Sequence, residues 1–338
     1  MRLKISHLTE YRYDEPAQFS LQRLRLTPPT TAAQKVLGWS LNVEGAKPEV
    51  EYDDQYGNHV NLVSLEGAQH LTRIFAEGEV ETTDNNGVTG PHTGFCPLWL
   101  FLRETPLTKG GKLVKELIKG VAGDNELARM HALMAAIHET VDYKPGTSNT
   151  ATTAEQALER KSGVCQDHAH IFIAAARALQ VPARYVSGYL MMEEKVEQAA
   201  THAWAEAHIP GLGWVGFDPA NEICPDTRYV RVASGLCYRD AAPISGMRIG
   251  TPGETLSVRT ATDSVDPGLE IVERRGITPP FLHLFNEKMA AILTCDASRN
   301  KVDFGSVQSA LALTLHLAAV FYLHGDRQRF ARRTDAHA

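Results

Sequence analysis

The chain has little from which to build a disulfide framework. Its 338 residues include only five cysteines, Cys96, Cys165, Cys224, Cys237 and Cys295. The number is odd, the spacings are wide and no CxxC pair occurs, which makes a stapled fold or a zinc ribbon a poor fit. A reducing compartment suits such a pattern, and the expected location is the cytoplasm. Met1–Glu10 lacks the long apolar core of a secretory leader. The longest apolar run, Ala310–Leu323, is interrupted by Thr314 and His316 and falls short of the ~20 residues a membrane helix needs, so no membrane contact is expected. There is no basic excess either. Lys plus Arg number 34 against 40 Asp plus Glu, a net charge of −6, which argues against a nucleic-acid partner. What remains is ordinary globular usage, 43% hydrophobic and 22% charged. The length suggests two domains at ~150 residues each, large enough to bury a core without staples.

Three textures follow one another. Residues 1–105 read as an all-β domain, a sandwich or small barrel. Leu3 and Ile5 alternate with polar neighbours, Leu21–Leu26 stops at Pro28-Pro29, Gly57-Asn58 marks a turn before Val60–Leu65, and Leu71–Val80 is a further strand. Residues 106–265 change character. Leu113–Ile118 is a short helix. Asp124 is placed to cap a longer one carrying Leu127, Met130, Met134, Ile137 and Val141 on one side. Thr153 and Gln156 have the spacing of a capping box, and a helix from Cys165 to Gln180 ends at Val181-Pro182. Strands return at Ala183–Met191, His202–Ile209 and Trp214–Asp218. Helices followed by antiparallel strands indicate α+β rather than alternating βαβ units. Residues 266–338 form a third part, a helical C-terminal appendage with a basic end.

Cys165 stands out from the other thiols. Gly163 lies two residues before it and a helix begins at it, so the sulfur sits at a helix N-terminus. Unpaired N–H groups and the positive end of the dipole there favour thiolate over thiol. The backbone N–H of Cys165 is free to stabilise an oxyanion. Two later segments supply partners: His202 in Thr201-His-Ala-Trp-Ala-Glu206, and Asp218 in Trp214-Val-Gly-Phe-Asp-Pro219. The turn signal Pro210-Gly-Leu-Gly213 makes them neighbouring antiparallel strands. Register decides whether they meet. An odd-length loop such as Ile209–Gly211 puts His202 and Asp218 on one face, whereas a four-residue loop Pro210–Gly213 separates them unless a bulge at Gly213 or Gly216 restores the pairing. An imidazole beside the thiol can take its proton, and a carboxylate on the other ring nitrogen can fix the tautomer.

The motif order Gly163-Val-Cys165-Gln-Asp167 with His168-Ala-His170, then Pro182-Ala-Arg-Tyr-Val-Ser-Gly-Tyr-Leu190, His202-Ala-Trp204 and Phe217-Asp218-Pro219 resembles the bacterial transglutaminase-like superfamily. The front of the chain is similar to that family's N-terminal domain in His7-Leu-Thr-Glu-Tyr-Arg-Tyr13, Leu24-Arg-Leu-Thr-Pro28 and Asp54-Gln-Tyr-Gly-Asn58. The resemblance covers roughly residues 1–260. It implies a papain-like, transglutaminase-like core with Cys165 as nucleophile, His202 as base and acid, and Asp218 as orienting carboxylate. It also implies cysteine-dependent amide hydrolysis or acyl transfer on a peptide or protein amide, with no cofactor and no metal. Protein-glutamine γ-glutamyl transfer to an amine is the alternative outcome of the same thioester, and a non-enzymatic binding protein on the same fold is the alternative class. One departure stands out: where the family carries Gly-Arg-Asp-Tyr, this chain reads Gly235-Leu236-Cys237-Tyr238-Arg239-Asp240.

The residues around the triad have simpler readings too. Cys165 and His168, with His170, His202 and His208, form a rival metal set that lacks a second cysteine pair. Asp167 suits the first helical turn as a cap. Trp204 and Tyr189 are walls of a cleft or plain core, and Gln166 is a substrate contact or a surface position.

Overall fold

The computed structural model describes residues 1–192, 197–198, 201–249 and 253–265. The described residues belong to one compact unit, residues 1–268. The expected appendage over 266–338, with its apolar run and Cys295, lies outside the described residues.

Four antiparallel strands open the chain: β1 (Arg2–Leu24), β2 (Gln34–Val43), β3 (Lys47–Asp53) and β4 (His59–Thr82). Alternation drives β1, because Leu3, Ile5 and His7 point into the protein while Lys4 and Ser6 face out. The segments expected as two strands are one strand of 23 residues. Its register against β4 shifts between Arg12 and Ala17 and again between Ala17 and Phe19, where Asp14-Glu15-Pro16 interrupts the alternation. A short strand β5 (Val88–Gly90) then leaves this sheet for the next one.

The helical part follows. It comprises α1 (Lys112–Leu117), α2 (Glu126–Thr140), β6 (Asp142–Tyr143), α3 (Ala154–Arg160), β7 (Ser162–Gly163) and α4 (Cys165–Ala178). Asn125, not Asp124, caps α2: its extended backbone brings the side chain to the Ala128 N–H at 2.9 Å, and Asp124 stands one residue too early. The capping box of α3 forms as the spacing predicts, with Thr153 and Gln156 each bonding the other's backbone N–H.

The remaining elements are β8 (Ala183–Leu190), β9 (Glu197–Gln198), β10 (His202–Ile209), β11 (Gly213–Phe217), β12 (Tyr229–Gly235), α5 (Tyr238–Ala241), β13 (Ile244–Ile249) and β14 (Glu254–Ser264). The second sheet has the order β12-β8-β10-β11-β5. On one of its faces Ala203, Ala205 and Ala207 alternate, so that α4 packs closely with Phe172, Ile173 and Ala176 against Tyr185, Val215 and Phe217. Burying each large apolar side chain there contributes about 1.5–3 kcal/mol. β13 and β14 both pair with β1, so the first sheet draws strands from both ends of the described chain. The result is the expected α+β class, with the strand-rich region as a single seven-stranded sheet.

Two buried histidines carry a pH consequence. Burial pushes His7 down to about 4. Burial, then the nearby Arg177 charge, pushes His170 down to about 3. Each folded value lies below the ordinary 6.5, so the unfolded chain takes up protons first as the pH falls. The stability is complete above about pH 6.5 and is lost towards pH 4 and 3, at ~3 kcal/mol for each ring by pH 4. Urea unfolding at pH 7, 5.5 and 4.5 should show this decline. His7→Gln should remove about half of it and leave the His170 share, because glutamine keeps a polar contact to Tyr189 Oη, 2.9 Å from the ring, without titrating.

Candidate active site

Cys165 is the first residue of α4 and is half-buried. The turn before it is held by Asp167, whose Oδ2 accepts from the Val164 N–H at 2.8 Å and from Ser148 Oγ at 2.5 Å. Asp167 is therefore the cap the sequence led us to expect. Gly163 is required for the same reason: a Cβ there would lie 2.6 Å from Asp167 Cβ and 2.7 Å from its Oδ2. The first bonds within α4 run from the Asp167 and His168 N–H groups to the Val164 carbonyl. The Cys165 and Gln166 N–H groups precede them, at the positive end of the helix.

The β10–β11 hairpin closes through a three-residue loop, Pro210–Leu212, with Ile209 opposite Gly213 and Ala205 opposite Phe217. The loop has the odd length the pairing required, displaced by one residue from Ile209–Gly211. Gly213 sits at φ +83°, and a Cβ there would meet Gly90 O at 2.2 Å, so the turn needs glycine at this position. This register places Asp218, just beyond β11, diagonal to His202 on the same face. His202 Nε2 donates to Asp218 Oδ2 at 2.6 Å.

Asp218 is fully buried and well supported. Its Oδ2 also accepts from Asn221 Nδ2 at 2.7 Å and Tyr229 Oη at 2.8 Å, and its Oδ1 from the Ala220 N–H at 3.1 Å. Burial pushes its carboxyl up, but the His202 charge and these hydrogen bonds prevail and hold it below the usual range. Burial likewise opposes a charged His202. The charges on Asp218 and Cys165, with a side-chain hydrogen bond to each, outweigh it and push the ring up to about 10. Since Nε2 is committed to Asp218, Nδ1 is the nitrogen left for the Cys165 sulfur. The structure thus brings the three residues singled out in the sequence into one line of contacts.

The neighbours sort cleanly. Trp204 is buried, stacks with the His202 ring at 6.2 Å and meets Tyr229 edge-on at 5.4 Å. Tyr189 is buried against His7. Both ring nitrogens of His168 meet main-chain carbonyls, Val164 O and Val141 O, at 2.9 Å. His170 Nε2 accepts from the Tyr238 N–H. Among the described residues no three His, Cys, Asp or Glu side chains converge as metal ligands would. Gln166 lies 3.5 Å from Asn149 O. At the family-divergent segment Asp240 Oδ2 accepts from the Leu236 N–H and from Tyr56 Oη, so a carboxylate four residues later steadies the turn there.

Sequence reasoning missed three contributors. Asn221 follows three residues after Asp218, and its amide was a readable signal. Tyr229 comes from β12 and carried no local mark. Tyr143, 55% exposed, lies beside Gly163 through the β6–β7 pairing. Partial burial, then the charges on Cys165 and Asp218, push its hydroxyl up to about 12. Tyr229→Phe removes a buried hydrogen bond to an ionised carboxylate. It should destabilise the protein by about 1.5–3 kcal/mol at pH 7, read by denaturant unfolding.

The chain is similar to known proteins in two of its regions and over most of its length. Residues 112–219 match the transglutaminase-like superfamily, and residues 3–81 match the bacterial transglutaminase-like N-terminal region. An uncharacterised protein of Mycobacterium leprae is 29% identical over 273 residues, covering 76% of this chain and 96% of the relative. A protein-glutamine γ-glutamyltransferase of Pseudomonas aeruginosa is 29% identical over 159 residues, 42% of this chain and 24% of the relative. The crystal structure of a candidate cysteine protease from Cytophaga hutchinsonii superposes with a TM-score of 0.62 at 27% identity, covering 79% of this chain and 92% of that one. Among the described residues no helix is long and apolar enough to cross a membrane.

Proposed function

This chain belongs to the transglutaminase-like superfamily and carries the N-terminal region of its bacterial members, and we propose that it cleaves amides through a thioester on Cys165. The observation that carries the reading is the His202 ring, held by Asp218 at Nε2 and in contact with Cys165. Cys165 gives its proton to His202, and the thiolate attacks the amide carbonyl. The resulting oxyanion is met by the Cys165 N–H at the start of α4. His202 then returns the proton to the leaving amine as the C–N bond breaks, which leaves the thioester. Water, deprotonated by His202, adds to the thioester; carboxylate departs and the thiol is restored. Asp218 stays ionised and keeps the ring oriented. No metal or organic cofactor enters.

Hydrolysis is the favoured outcome, supported by the likeness to the Cytophaga candidate cysteine protease over most of both chains. Transfer to a primary amine is the second reading, favoured by the shorter match to the Pseudomonas glutamyltransferase. The reading extends to a cytoplasmic setting, supported by four free thiols among the described residues. Peptide and glutamine-amide substrates, quenched in acid and analysed by mass spectrometry, test the proposal. An acyl adduct on Cys165 is expected, and product carrying water rather than added amine identifies a hydrolase. Failure of any amide to acylate Cys165 would remove the enzyme reading and leave a binding protein.

A further inference from the structure

Beyond the triad, the second sheet carries a cleft of about 410 Å³. Its walls include Arg184 on β8, Trp214 on β11 and Arg231 on β12, and its rim is made of loops at residues 29–32 and 56–58 and of the end of β5 with the loop after it, residues 89–94. That volume is within the range of small-molecule sites. No Asp or Glu is among the described residues that line it.

The charge behind the cleft does not balance. Glu206 is the carboxylate within reach of both arginines, and Arg184 binds its Oε2 through Nε at 2.6 Å and Nη2 at 2.5 Å. The other oxygen, Oε1, accepts from Thr89 Oγ1 at 3.3 Å. Arg231 Nε stands 3.7 Å from Oε1 and is buried without a hydrogen bond, a separation too long to count as one. Burial raises the Glu206 carboxyl, but the two guanidinium charges prevail and hold it below its ordinary value. Arg184 is pushed down to about 10 by burial and still carries its charge at neutral pH. One carboxylate therefore serves two guanidinium groups, and the surplus cation is Arg231, whose side chain is 16% exposed.

A guanidinium that shares a single carboxylate with a second arginine, and whose Nε makes no hydrogen bond to it, is short of counter-charge until an anion arrives, and its planar fork matches a carboxylate. The other walls are partly apolar. Trp214 is covered on one side by the Arg184 guanidinium, 4.0 Å from the ring centroid, and Val232 and two prolines complete the lining. The one imidazole there is already engaged, since His92 Nε2 donates to Cys96 O and Nδ1 accepts from Trp214 Nε1. We propose that this cleft is a second binding site, for a small organic carboxylate whose anionic end pairs with Arg231 and whose apolar part lies towards Trp214.

The test is titration calorimetry on the full chain. The probes are benzoate, citrate and N-acetyl-phenylalanine, with N-acetyl-phenylalaninamide and inorganic phosphate as comparison arms. At least one carboxylate should bind saturably at one site per chain. The amide, which lacks the anion, and the Arg231→Gln variant should each weaken binding tenfold or more, the cost of one charge-assisted hydrogen bond. Arg231→Lys should retain part of the affinity. Binding by phosphate alone would overturn the carboxylate assignment. No saturable carboxylate binding to the wild type, or equal binding of acid and amide, would overturn the site. If Arg231→Gln fails to fold, the acid–amide comparison on the wild type still decides. Binding should persist in Cys165→Ser, so its outcome stands apart from the acyl-transfer reading.

Discussion

Iodoacetamide at pH 6 is expected to alkylate Cys165 ahead of the other four thiols, and His202→Ala to slow that reaction by about 10- to 100-fold. The estimate starts from an ordinary thiol near 8.5, which is about 0.3% thiolate at pH 6. An imidazolium beside the sulfur favours thiolate over thiol and so raises the reactive fraction, which is a gain in rate. Part of that gain is returned, because a more stable thiolate is intrinsically less nucleophilic, with a Brønsted slope of about 0.4–0.5. Three of the competing thiols, those among the described residues, are handicapped. Burial pushes Cys224 up to about 11, burial and then the Asp54 charge push Cys96 up, and Cys237 is buried. Asp218→Asn should give an intermediate rate, since the ring keeps a hydrogen-bonding neighbour but loses the charge that supports its protonated form. The His202 ring, raised to about 10, sets the alkaline side. The pair's contribution to stability is full below about pH 6.5 and is lost as the pH rises through about 10, and the reactivity advantage should vanish over the same span. In catalysis the corresponding loss is larger. Cys165→Ser and His202→Ala should each remove on the order of 10⁴- to 10⁶-fold of turnover, and the double variant little more, because the residues act as one unit. Uniform, slow labelling of all five cysteines would refute the activated thiol.

Local signals carried much of this fold. The helix beginning at Cys165 and the capping box at Thr153 were readable because each depends on residues within a few positions of one another, whereas Pro210-Gly-Leu-Gly213 marked a turn but left its loop length open. His202 and Asp218 could be paired as candidates for a related reason: both sit on one hairpin whose register has only two parities. What depended on distant partners was not readable. Nothing near residue 250 announces that β13 and β14 run beside β1, and the bulged continuity of β1 through Asp14–Pro16 depends on β4. The support of Asp218 by Tyr229 likewise depends on β12 being folded back to that corner of the sheet. The Arg231 cleft was invisible for the same reason, since its charge imbalance exists only once Glu206 is assigned to Arg184.

Arg177 is a long-range feature of the same kind, and replacing it should have the largest effect on stability. It lies on α4, fully inside the protein, and four of its five N–H donors are engaged with groups from other segments. Nε donates to Phe101 O at 2.9 Å, Nη1 to Thr108 Oγ1 at 2.7 Å, and Nη2 to Ala183 O at 2.9 Å and Leu236 O at 2.8 Å. One guanidinium thus ties α4 to the 98–102 turn, to the start of β8 and to the segment after β12. Burial pushes it down to about 10, against the charges of Cys237, Tyr56, Asp240 and Glu104, so it stays protonated at pH 7. Arg177→Met preserves length and apolar contact but leaves three buried carbonyls without a donor, each costing about 1–3 kcal/mol. A total near 3–9 kcal/mol is comparable to the whole stability of a domain, ~5–15 kcal/mol, so the variant should accumulate poorly or melt far below the wild type. Arg177→Lys keeps the charge but cannot span four acceptors, and should fall between the two in thermal unfolding. Arg177 is twelve residues along α4 from Cys165, about 18 Å at 1.5 Å per residue. Where Arg177→Lys folds, its iodoacetamide profile at Cys165 should therefore match the wild type. A lysine variant that melts normally but loses the fast thiol would instead mean that Arg177 positions the helix N-terminus.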